Sequence, residues 1–293
     1  MSTADEIGTA AQLACLLEAS APKPGNVSPG RHFRDARYED FLASAAAIGP
    51  ALARAGERPL GATILAAVEA TARWTRSNTN LGIVLLLAPL ARAAALGGSG
   101  ALRTEVAHVL AASTVDDARD AYAAIRLASP GGLGRAGAQD VADAPSVSLV
   151  DAMRLAANRD GIAREYATDF STTFERGAPS LVRARADGLA WDDAVVETYL
   201  TLLAAAPDTH VARRAGEPRA AEVTRDARAV LAAGGVRTAA GRDAVAQFDR
   251  TLRDPHNLAN PGTTADLTAA ALFVVLLDGG WHSTHGDSDD RAR

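Results

Sequence analysis

The stretch Arg76–Ala91, RSNTNLGIVLLLAPLA, constrains this chain more than any other, because polar side chains sit directly before an aliphatic run. Leu81–Leu90 is shorter than the ~20 residues that a bilayer span requires, and Pro89 interrupts it. The run therefore belongs in a protein core. Burying it also buries the start of its helix, where backbone N–H groups lack internal partners. A second run, Leu267–Leu277, follows Asp266 and obeys the same logic.

Composition says what surrounds these two core helices. The 293 residues are 48% hydrophobic but only 4% aromatic, with alanine and leucine dominant. Both lose little freedom in a helix, so an all-α fold is expected. The length is enough for one large core, and a single multi-helix domain over 1–280 is the expectation, with a frayed polar tail over 281–293. No period-2 strand ladder and no fixed-period repeat is present. The net charge of -5 and the lack of a basic stripe argue against nucleic acid as a partner. An acidic N-terminus without signal-peptide character and a lone cysteine, Cys15, fit a cytoplasmic protein away from membranes. Cys15 lies on an amphipathic helix and reads as a buried thiol. An alanine-rich helical surface is compatible with a homodimer, although no heptad seam is sustained.

Thr3 and Glu6 have capping-box spacing ahead of a helix running to Ser20. Further helices are expected near 38–54, 59–75, 81–96, 101–112, 115–128, 148–158, 160–175, 191–206, 208–215, 217–233, 239–253 and 263–277. Two long loops rich in glycine and proline, 21–36 and 129–140, separate them; such loops in a compact domain are more often functional than idle.

Three polar turns carry the chemistry. In NTNLG, Asn78, Thr79 or Asn80 can cap the helix, and Gly82 lets another group approach the backbone. A helix start of this kind serves equally as a cap and as an anion site. NPGTTADL repeats the arrangement with Asn260, Gly262, Thr263 and Thr264; Thr263 and Asp266 read as a capping pair, and Asp266 could also hold a cation beside phosphate. KPGNVSPG adds Lys23, Gly25, Asn26 and Ser28. Carboxylates and cations elsewhere in the helices form a further group: Glu69, Asp140, Arg159, Asp160, Arg164, Asp169, Asp208, His210, Arg213 and Arg214. Asp160 with Arg164 suits a solvated helix pair, and Asp208 suits a first-turn partner of the helix dipole and a metal ligand equally. His210 is the proton carrier by ordinary pKa, yet a lone helical histidine is usually structural. His282 and His285 read as solvated, since no third ligand is near them.

PKPGNVSP, NTNLG and NPGTTADL, in this order and spacing, resemble the signature loops of the triphosphoribosyl-dephospho-CoA synthase family. AIRLASPGGLG, LAANRDGIAREY and PDTHVARRAG resemble its archaeal and methylotroph-type subgroup, and the likeness runs from about residue 10 to 277. It implies an all-helical, Mg²⁺-dependent transferase that displaces adenine from the ribose of ATP with a hydroxyl of dephospho-CoA. Positive charge then builds on the ribose while the triphosphate needs cations and N–H donors. On that resemblance, Lys23, Gly25, Asn26, Asn78, Thr79, Asn80, Gly82, Asn260, Gly262, Thr263 and Thr264 surround the nucleotide phosphates. Asp266, with Asp140 or Glu69, holds Mg²⁺, and Asp208, Asp160 and Glu69 are the candidate catalytic carboxylates. Lyase-associated members carry His-Lys-Gly where this chain has Asn80-Leu81-Gly82. A different acceptor, in coenzyme biosynthesis of one-carbon metabolism, is therefore a second reading, and a non-enzymatic helical scaffold a third.

Overall fold

A computed structural model describes residues 2–98, 100–130, 134 and 136–281; the expectations for the tail and for His282 and His285 lie outside them. Within the described residues the chain is all-α, with no strand. Its helices are α1 (Ala4–Ser20), α2 (Tyr38–Ala53), α3 (Leu60–Ala72), α4 (Leu81–Leu96), α5 (Leu102–Ala111), α6 (Val115–Ala128) and α7 (Leu149–Ala156). They continue as α8 (Gly161–Ala167), α9 (Ala178–Ala186), α10 (Trp191–Ala205), α11 (Thr209–Ala215), α12 (Glu217–Ala232), α13 (Ala239–Leu252) and α14 (Gly262–Leu277). No helix among them is long and apolar enough to cross a membrane.

The two aliphatic helices form the centre. In α4 only Gly82, Arg92, Ala95 and Leu96 escape full burial. α14 packs against α4, α1 and α10, so it meets protein on nearly every side. That placement explains why neither run shows a polar face. Cys15 is buried in α1, and burial pushes its thiol well above the usual range.

Two of the helices, α2 and α4, carry a proline in their interior, and each leaves the carbonyl four residues earlier without its helical donor. Both carbonyls are rescued by side chains from other helices. Tyr166 Oη donates to the Leu85 carbonyl at 2.6 Å, opposite Pro89. Gln12 Nε2 donates to the Ala46 carbonyl at 2.8 Å, opposite Pro50. Each freed carbonyl is thus satisfied despite the missing N–H.

The expected helix over 160–175 is two pieces. Asp169 and Phe170 adopt left-handed φ values of 48° and 57°, which ends α8. Buried Glu165 takes the freed amides: its carboxylate accepts from Thr172 N, Thr173 N and Thr173 Oγ1 at 2.6–3.0 Å. A π-helical turn over Thr173–Gly177 then leads into α9, a helix the sequence reading did not foresee.

Candidate functional site

A cavity of about 750 Å³ opens between the helix ends, within the usual size range of small-molecule sites. Asn78, Thr79, Asn80 and Gly82 line it from the start of α4. Asn260, Gly262, Thr263 and Asp266 line it from the start of α14, and Asn26 from the loop after α1. The three polar turns therefore meet. A hydrogen bond from Asn26 Nδ2 to Asn260 Oδ1, 3.2 Å, joins the first turn to the third across 234 residues of sequence.

The first turn is fixed from behind. Gly25 adopts φ +74°, its N–H donates to Asp249 Oδ1 at 2.9 Å, and a Cβ there would sit 2.8 Å from Leu252. Arg253 Nη2 donates to the Asn26 carbonyl, and Tyr199 Oη to the Pro24 carbonyl, both at 2.8 Å. Gly25 is thus a packing residue and does not line the cavity. Lys23 departs further from expectation. It is fully buried, and its ammonium faces the Glu18 carboxylate at 3.0 Å and the Glu18 carbonyl. Glu18, not Lys23, lines the cavity. An ammonium so enclosed has its donors committed to protein.

The two helix starts solve their capping problems differently. Asn78 Oδ1 accepts from Leu81 N at 3.1 Å, so Asn78 is the cap of α4. Asn80 Nδ2 instead donates to Thr71 Oγ1 at 3.1 Å, and Thr79 shares a hydroxyl–hydroxyl bond with Ser44. In α14 the expected Thr263–Asp266 capping pair does not form. Thr263 bonds Thr209 at 3.1 Å, and Thr264 donates through both N and Oγ1 to Asp208 Oδ2 at 2.7 Å. The other Asp208 oxygen accepts from His210 N and Val211 N. With four donors on its carboxylate, Asp208 is a buried structural cap outside the main cavity, as is Thr264. It is no free base.

Asp266 is the opposite case. Its carboxylate reaches the cavity with no hydrogen-bond or ion-pair partner, and it lies against the backbone of α4. A Cβ on Gly82 would stand 2.0 Å from its Oδ2. Burial, reinforced by the nearby charges of Glu18, Asp208 and Asp160, pushes its carboxyl well above the usual range, and Arg213 opposes the shift.

Asp160 lines the cavity too. Its Oδ1 caps α8 through Ile162 N and Ala163 N, and its Oδ2 meets Arg213 Nη1 at 3.2 Å. His210 Nδ1 bonds the Asn260 carbonyl at 3.0 Å, and burial pulls the imidazole pKa down. Asp140 reaches the cavity wall, where its oxygens accept from Ala136 N and Ala142 N and close their own loop. Glu69 is exposed on α3 and does not line the cavity, which removes it as catalytic group and metal ligand alike. No group of three acidic, histidine or cysteine side chains is clustered among the described residues, so Asp266 and Asp140 do not belong to a preformed metal cage.

Sequence reasoning missed the apolar wall and Glu18. Phe33, Phe41, Ile125, Leu149 and Met153 line one side, and Tyr122 Oη holds the adjoining loop by the Gln139 carbonyl at 2.7 Å. For Glu18 a signal existed: it falls on the helical stripe of Ile7, Ala11 and Ala14, where a carboxylate is out of place.

Residues 4–285 match the family model described as CitG: ATP:dephospho-CoA triphosphoribosyl transferase. The chain belongs to this family. A Pseudomonas aeruginosa protein named "Probable 2-(5''-triphosphoribosyl)-3'-dephosphocoenzyme-A synthase" is 35% identical over 154 residues, 50% of this chain and 52% of that protein. A Pseudomonas paraeruginosa protein of the same name is 40% identical over 125 residues, 41% of this chain and 42% of its own length. The chain thus spans about half the length of the curated relatives it matches. The match to a solved structure is wider: a crystal structure from Archaeoglobus fulgidus, described as a "putative triphosphoribosyl-dephospho-coA synthase", is 31% identical with a TM-score of 0.65. It covers 82% of this chain and 99% of that one.

Proposed function

We propose that this protein transfers the triphosphoribosyl group of ATP to a hydroxyl of 3'-dephospho-CoA, releasing adenine, and that it belongs to the archaeal and methylotroph-type branch of the family. The observation that carries the reading is the convergence of the three family turns on one cavity, with a partnerless carboxylate, Asp266, in its lining. The branch assignment is supported by the likeness to the Archaeoglobus protein over most of the chain.

The residues suit the two charges that this reaction must manage. Cleaving the N-glycosidic bond makes the ribose electron-poor, and Asp266 and Glu18 provide negative potential on that side of the cavity. Asn26, Asn80 and Asn260 offer amide groups to orient ribose hydroxyls. Of the two aspartates expected to take the proton of the attacking hydroxyl, only Asp160 reaches the cavity. Asp266 also fits the hard, oxygen-preferring Mg²⁺, because its oxygens have no other partner. Bound Mg²⁺ would offset the charge of the triphosphate; Asp266 and the substrate's own phosphates would hold it. The apolar wall suits the adenine ring or the pantetheine arm.

Purified protein incubated with ATP, Mg²⁺ and dephospho-CoA should release free adenine only when the acceptor is present. Release with another hydroxyl acceptor alone would favour the second reading, and no release with any acceptor would favour the scaffold.

A further inference from the structure

Resting on that reading, we propose that the substrate's phosphate chain is held by an arginine wall, Arg159, Arg213 and Arg214, and not by the asparagine turns. The chain contains a single lysine, Lys23, and the Glu18 pair keeps it out of the cavity. Beside the turns the cavity lining carries Asp266 and, from α1, Glu18, and carboxylates do not attract bare phosphate. Cationic donors at the cavity are therefore guanidinium groups.

Three of them come from two neighbouring segments. Arg159 follows α7 and lines the cavity, and its side chain makes no hydrogen bond or ion pair among the described residues. Arg213 and Arg214 are half-buried on α11. Arg213 places one Nη on Asp160 at 3.2 Å, yet its Nε is enclosed with no acceptor. Enclosed donors without acceptors are rare in folded proteins, and the guanidinium that carries this one lines the cavity, where an anion would give it a charge partner. Arg214 gives one Nη to the His256 carbonyl at 2.9 Å, which fixes its orientation at the cavity edge. The acids in the same lining are Asp160, already engaged with Arg213, Asp266, whose carboxyl feels the Arg213 charge, and Glu217, exposed at the rim. Planar forks of this kind match paired phosphate oxygens in a way that a single ammonium does not. The cavity is thus polarised, with a cationic wall for the phosphates and an acidic floor for the ribose that becomes electron-poor.

Both proposed substrates carry a phosphate chain: a triphosphate in ATP, a diphosphate in dephospho-CoA. The probe is inorganic tripolyphosphate, titrated calorimetrically into the protein in EDTA so that no ion bridges it to Asp266. Wild type should bind, and Arg159→Ala should bind roughly tenfold or more weakly, as expected for losing charge-assisted bonds. Arg213→Lys keeps a cation beside Asp160, so a merely structural role predicts rescue; the phosphate fork predicts the same weakening. Arg119→Ala, on a surface pair away from the cavity, controls for lost charge and should bind normally. In turnover, a raised KM for ATP with an unchanged KM for dephospho-CoA assigns the wall to the triphosphate, and the reverse assigns it to the diphosphate. Equal tripolyphosphate affinity in wild type, Arg159→Ala and Arg213→Lys overturns the wall, as does no binding by wild type. Arginine-dependent binding without adenine release by wild type overturns the reaction reading alone.

Discussion

Asp208, buried, and Asp266, half-buried at the cavity, both stand at the start of α14, and their surroundings could hardly differ more. Around Asp208 the protein has closed every valence: four donors from α11 and α14 meet two oxygens. Around Asp266 it has supplied none, and has removed a side chain at Gly82 to let the carboxylate sit there. Burial alone therefore says little about role. A buried acid with its partners in place holds structure together, whereas one kept without partners stores an unfavourable charge that a ligand can relieve.

The contrast is sharpest in the two aspartates themselves. Asp266→Asn should lower adenine release by about 10³-fold, in the range for losing a metal ligand or charged group at a reacting centre. Its melting temperature should hold or rise. Unchanged turnover and Mg²⁺ dependence would remove Asp266 from the chemistry. Asp208→Ala should do the reverse, destabilising the fold by about 3 kcal/mol because it strands four donors; urea denaturation measures this. A fully stable variant would show that the capping network is dispensable.

Gly82→Ala probes the contact between α4 and Asp266. The new Cβ would displace the flexible end of a side chain, so the fold should survive, helped by alanine's helix preference of up to ~1 kcal/mol over glycine. Turnover should fall about tenfold as the carboxylate is pushed aside. Normal kinetics would mean that its position has latitude.

The smallest expected effect is on pH. A carboxyl whose pKa folding raises binds its proton more tightly folded than unfolded. In EDTA, stability should therefore decline as pH climbs from the ordinary carboxylate range through the raised value for Asp266. Asp266→Asn should flatten that slope in denaturation curves taken across pH.

Much of the fold was legible where the signal was local. Thr3 with Glu6 caps α1 as its spacing suggested, and α4 and α6 run over 81–96 and 115–128 as read. The break at Asp169–Phe170 was not legible, because no glycine or proline marks it; it depends on Glu165 turning its carboxylate back onto later amides. The candidate site divides in the same way. That polar turns start buried helices could be read from sequence; which side chains face the ligand could not. Lys23 looks like a phosphate ligand until Glu18, five residues earlier, is seen to hold it. Glu69 looks interior until α3 is packed and its face proves to be the outer one.

The close packing of α14 against α1 and α4 also sets when the site can come into being. A nascent chain emerging from a ribosome carries its first two ligand-facing turns for well over a hundred residues of synthesis before Asp266 exists to join them. Until then the side of α4 that α14 covers stays open, and the cavity lacks the wall that α14 supplies. Prematurely terminated chains lacking that helix should consequently be clients for chaperones and proteases, never weak enzymes.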